Sequence, residues 1–125
     1  MNELFRFHHD LAYITIVVNI FAGIWMLISL KVKSLQRKKN FYLPVYIGWV
    51  TIVLQVFLGV SLYMSGDKVS EGKGFHYFYG FLLFAIATVI WSYRNQLAKH
   101  RVLIYGLSSL FMGAMALRSA LLVLL

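Results

Sequence analysis

The chain has 125 residues and a formal net charge of +8; 61% of it is hydrophobic, 17% aromatic and only 13% charged. That balance excludes an ordinary water-soluble domain of this size and makes a membrane protein the first expectation. Cysteine is absent, which excludes disulfides, thiolate metal sites, iron–sulfur clusters and covalent c-type haem attachment, and leaves histidine, carboxylate, amide and methionine as ligands.

In chain order, the stretch "FRFHHDLAY" (residues 5–13) leads into the apolar run Leu11 to Leu30. Glu3 and Asp10 accompany Arg6 there, and no small-residue cleavage site follows, so the run is expected to be a permanent span and not a signal peptide. The basic residues Lys31, Lys33, Arg37, Lys38 and Lys39 come next, then a second apolar run, Leu43 to Met64, opened by Pro44 in its first turn, where the missing N–H costs nothing. The glycine-rich loop "SGDKVSEGKG" connects to a third run, Phe75 to Tyr93. Arg94, Lys99 and Arg101 precede the fourth, Val102 to Leu125. A helix needs about twenty residues to cross a hydrocarbon core roughly 30 Å thick, and each run has about that many. Helices are predicted at about 8–30, 43–64, 75–93 and 101–124, in a single transmembrane domain covering residues 1–125. The continuous apolar runs lack the alternation of a β-barrel.

Eight of the twelve basic residues fall in the two connections that carry no acid. This asymmetry is a topology signal and not a nucleic-acid footprint, because cationic segments stay on the cytoplasmic side. Both termini and the 65–74 loop are therefore expected outside. The fold class is all-α, an integral membrane up-down four-helix bundle, with membrane lipids as its first partners and a multi-pass place in a bacterial or archaeal cytoplasmic membrane.

Polar groups are costly in lipid and usually face a bundle interior. Asn19 and Gln55 fall near mid-membrane, either as hydrogen-bonded glue between the first two helices or as part of a proton or substrate path. The glycines spread over the spans allow close packing, and some make room for a flat ligand. Arg118 lies sixteen residues, roughly 24 Å, beyond Val102. At that outer level it either snorkels to the interface or pairs with an anionic group held between the helices.

Topology also sorts the four histidines. His100 reads as a solvated loop residue. His8, His9 and His76 share the outer boundary, on helices one and three, which lie across the diagonal of an up-down bundle. Two imidazoles facing each other there provide both axial ligands of a haem iron; the alternative is a polar interfacial collar. Gly80 shares the face of His76 and leaves space beside a porphyrin, and Arg118 is the candidate propionate partner. His8 and His9 differ by about 100° around the helix, so only one can face the diagonal. His9 is deeper and is preferred, with His8 as the alternative.

The segments "GWVTIVLQVFLGVSLYMSG" and "GFHYFYGFLLFAIATVIWSYR", with "FHHDLAYITIVVNIFAGIWML" before them, resemble one four-helix half of the haem A synthase family over about residues 5–93. In that family a helix with a glutamine and a glycine in its outer half leads through an outer loop to a helix that begins with a haem-ligand histidine, and the partner histidine lies on helix one. The resemblance implies one haem b per chain, or a homo-oligomer. It also implies a glutamate three residues before the helix-one ligand and an arginine after it. Here those positions hold Phe5 and His9, or Arg6 and Asp10, and the outer cysteine pair of many members is missing. Synthase-like catalysis is therefore not expected.

The sequence thus points to a cytochrome b-like membrane protein for electron transfer or haem handling in a respiratory or photosynthetic membrane. The competing reading is an accessory subunit of a larger membrane complex with no redox cofactor, or one that contacts chlorophyll, lipid or quinone. A transporter lacks the broken helices and charged midplane site it would need. A soluble-substrate enzyme lacks a nucleophile–base or carboxylate pair.

Overall fold

The computed structural model describes residues 3–66 and 74–124, and among these it contains four α-helices and no strand. They are α1 (Glu3–Ser29), α2 (Leu43–Met64), α3 (Phe75–Ser92) and α4 (Arg101–Leu124), with short 3-10 turns at Lys33–Arg37 and Ala98–His100. The connection at 67–73, with Asp67 and Glu71, lies outside the described residues, as do the chain ends.

The element boundaries follow local chemistry. At the start of α2, Pro44 occupies the first turn. Its end is set by Ser65 and by Gly66, whose φ of 94° only glycine adopts readily. The α1 C-terminus is closed by Gln36, which donates from Nε2 to the Ser29 carbonyl at 2.9 Å, satisfying one of the carbonyls a helix end leaves open. Arg94 does the same for the end of α3, donating to the Trp91 carbonyl at 2.8 Å, and Arg101 donates to the Arg94 carbonyl in the turn beyond it at 2.9 Å. The expected α1 start near residue 8 is too late. Nothing in "ELFRFHHD" breaks a helix, and Glu3 stands favourably in the first turn, so both histidines are helical.

Three helices are long and apolar enough to cross a membrane. The fourth, α3, has 18 residues, about 27 Å of rise, just short of a hydrocarbon core of roughly 30 Å.

The helices pack in the order α1, α2, α3, α4 around a ring that closes through the α1–α4 seam, the tightest of the four; the α2–α3 seam is the loosest. Glycines build the tight seam. A Cβ at Gly23 would fall 2.8 Å from the Leu110 backbone nitrogen, and one at Gly113 would lie 3.1 Å from that of Ile20. Small residues let helix backbones approach, as in membrane bundles generally. The α1 and α3 backbones make no contact across the diagonal.

Buried side chains run in stripes of alternating three- and four-residue spacing. On α1 the stripe is Thr15, Asn19, Ala22, Met26 and Ser29, the narrow seam of a helix packed on both sides. On α4 it includes Tyr105, Ser109, Met112 and Ser119. Large apolar side chains point outward on every helix, Val17, Phe57, Phe81 and Phe111 among them. At the end where the basic connections lie, Trp25, Phe41, Tyr42, Trp49, Trp91 and Tyr105 form an aromatic cluster, tied by Trp25 Nε1 donating to the Phe41 carbonyl at 3.0 Å.

Candidate haem site

The α1 stripe, continued toward its N-terminus in the same three- and four-residue steps, passes through Ala12 and arrives at His8. Its half-buried ring lies against α2, where a Cβ at Gly59 would be 3.4 Å from Cε1. Gln55, one turn earlier on α2, also interacts with this imidazole. The Nδ1 of His8 is buried and has no hydrogen-bond partner.

Across the diagonal His8 meets His76. The ring centres are 6.2 Å apart and the ring planes perpendicular. These side chains bridge helices whose backbones do not touch. His76 itself is clasped by α4: its Nδ1 lies 3.0 Å from the Ser119 carbonyl oxygen and 2.8 Å from Ser119 Oγ, and that hydroxyl is 3.5 Å from the His76 carbonyl. A carbonyl can only accept, so Nδ1 carries the proton and donates to it. The Ser119 hydroxyl can then donate to the His76 carbonyl. This assignment leaves Nε2 with the lone pair, ready to bind a metal.

The imidazole that the structure brings against His76 is that of His8, where the sequence preferred His9. His9 has its ring 5.4 Å from that of Tyr13 and its Nδ1 3.5 Å from Asp10 Oδ1. The cause is helical phase: one residue turns a side chain by about 100°, and the buried stripe selects position 8. Gly80 is where the sequence placed it, one turn after His76, and a Cβ there would have no heavy atom within 4 Å. Arg118 precedes Ser119 and so sits at the level of His76, but it is exposed. His100 is exposed in its loop.

Asn19 and Gln55 do not pair with each other. Asn19 is fully buried and donates from Nδ2 to the Thr15 carbonyl at 2.8 Å and toward the Gly48 carbonyl at 3.5 Å, which links α1 to α2. Sequence reasoning missed Ser119, whose role depends on the α3–α4 register. It missed the importance of the α1 stripe too, although that spacing was there to be read.

Among the described residues no group of three or more His, Cys, Asp or Glu side chains converges. The histidine pair is a two-ligand set, which would suit an iron that a porphyrin already holds. The unpartnered His8 Nδ1, the oriented His76, the open space at Gly80 and the loose α2–α3 seam all fit a flat group entering from that side. An open pocket of about 300 Å³, lined in part by Gln36, Lys38, Asn40 and Tyr42, lies at the opposite end and has no part in this pair. In comparisons of the chain with protein-family models, with curated proteins and with solved structures, none matches.

Proposed function

We propose that the chain is an integral membrane protein that holds one b-type haem between His8 and His76 and serves electron transfer or haem handling. The observation that carries this reading is the contact between two imidazoles from diagonal helices, one with its tautomer fixed by Ser119. Support for the membrane setting comes from the length and hydropathy of α1, α2 and α4 and from the apolar side chains that face outward on every helix. The excess of Lys and Arg in the 31–39 and 94–101 connections favours placing that end inside, with the histidines near the outer face.

A bound haem supplies one-electron chemistry at iron; the protein sets its potential through ligand identity, hydrogen bonding and burial. Ser119 would hold the His76 ring in place and, by accepting the Nδ1 proton in a hydrogen bond, make Nε2 a stronger donor. Gly59 gives the His8 ring room against α2, and Gly80 keeps the face next to His76 clear. Arg118, at the same level on a flexible side chain, offers a cation to a carboxylate at the outer interface. With Phe5 or Arg6 three residues before the α1 histidines, the site lacks the acid a haem-modifying enzyme would place there. Binding is thus the activity favoured over modification.

The test is an absorption spectrum of the purified protein, oxidised and then reduced with dithionite. A narrow reduced α-band, with unmodified haem b in the extracted pigment, is expected. A colourless preparation that is folded and remains colourless after haem addition would instead favour the cofactor-free accessory subunit, for which the outward apolar side chains supply a partner-facing surface.

A further inference from the structure

The buried polar atoms without partners are not scattered. At the basic end are Trp49 Nε1, Tyr105 Oη and Ser109 Oγ, on residues at least nine-tenths buried. The Trp49 and Tyr105 rings are 5.1 Å apart, and Ser109 is one turn beyond Tyr105 on the same face. In the middle of the bundle come Asn19 Oδ1 and Thr15 Oγ1, also on buried residues. Gly48, beside Trp49 in sequence, packs directly on Asn19, which joins the first station to the second. At the far end are Gln55 Oε1 and His8 Nδ1, on side chains that interact with each other. All belong to the facing stripes of α1, α2 and α4.

A buried polar atom without a partner is costly, and native interiors satisfy such atoms with protein groups or internal water. A serine or threonine in a helix normally satisfies itself through its own backbone. Ser108 and Thr51 do so, bonding the Tyr105 and Gly48 carbonyls; Ser109 and Thr15, on the axis, do not. Successive stations along α1 are separated by roughly 6 to 10 Å, a gap that one to three waters close at about 2.8 Å per hydrogen bond.

The two ends differ. At the basic end the Tyr42 ring is 5.7 Å from that of Tyr105 and lines the open 300 Å³ pocket, while Arg101 presents an unpartnered Nε one turn before Tyr105. At the other end Leu62 is buried and Ser119 holds His76 closed against α4.

We infer that the bundle axis carries a file of internal water that enters beside Tyr42 and Tyr105 at the basic end and runs past Asn19 and Thr15 to Gln55. The inference rests on the membrane reading and not on haem, so it survives a colourless protein.

The experiment is water-edited solid-state NMR of the isotopically labelled full chain in lipid bilayers. Magnetisation from water is expected to reach the side chains of Ser109, Asn19, Thr15 and Gln55 severalfold faster than it reaches the outward-facing Val17. Transfer to Asn19 and Thr15 as slow as to Val17 would overturn the file. In Asn19→Leu the transfer should be lost at Thr15 and Gln55 and kept at Ser109; persistence at Thr15 and Gln55 would overturn the assigned entrance. Should Asn19→Leu not fold, the near-isosteric Thr15→Val serves. It should slow transfer to Gln55 while leaving Asn19 and Ser109 as they are, and unchanged transfer to Gln55 would again contradict the proposal.

Discussion

His76 and Ser119 are 43 residues apart in sequence and 2.8 Å apart at their polar atoms. That clasp has a measurable consequence. Ser119→Ala removes the hydroxyl but leaves the backbone carbonyl to accept from Nδ1, so the ring keeps its tautomer and loses part of its restraint. Removing such an outer hydrogen bond typically costs 10–100-fold in affinity, and with the carbonyl retained about tenfold is expected, read as the apparent Kd in a haem titration. An unchanged Kd would show that Ser119 does not orient a ligand. At this scale the sequence was legible only in part. It exposed His76, Gly80 and the pair His8 and His9, because residue type and span position suffice for that. Choosing between His8 and His9 needed helical phase, which Thr15, Asn19 and Met26 encode at steps of three and four. The hydroxyl of Ser119 was not legible, since nothing local fixes how α4 is turned toward α3.

Two glycines with the same one-letter code have opposite roles in the helices they occupy. Gly23 is closed in by Leu110, with backbone only 2.8 Å from a Cβ, whereas Gly80 faces open space. Gly23→Ala is expected to destabilise the α1–α4 seam by about 1–3 kcal/mol through overpacking. Gly80→Ala should stabilise α3 by about 0.5–1 kcal/mol, because alanine loses less entropy in a helix and meets no obstruction. Unfolding titrations in mixed micelles measure both, and a tolerated Gly23→Ala would contradict the packing described. Gly80→Leu is the functional counterpart: the fold should persist while haem uptake falls, and full uptake would remove Gly80 from the site. Element limits were the most legible feature, since Pro44 announces α2 and the basic connections bound α3 and α4. The early start of α1 was missed because "FRFHHD" looks like a polar collar, yet its residues are all compatible with a helix and Glu3 suits its first turn.

For the whole molecule, the absence of cysteine makes single-cysteine labelling clean. Ser34→Cys and Gln96→Cys, both at exposed positions in the basic connections, should react only with reagent on the inner side of sealed vesicles, and Ser65→Cys only with reagent outside. Labelling of Ser65→Cys from within would invert the orientation and place the histidines at the inner face. The ring order of helices was legible from short connections and charge asymmetry alone, and it brought α1 and α3 to opposite corners. The histidine pair is the point where their side chains close that diagonal. The most direct measurement of that claim is the reduced-minus-oxidised absorption spectrum of haem-loaded wild type beside His8→Ala, His9→Ala and His76→Ala. The account predicts that the α-band disappears or becomes high-spin in His8→Ala and His76→Ala and is unaltered in His9→Ala. A band that survives in His8→Ala, or is lost only in His9→Ala, would contradict it.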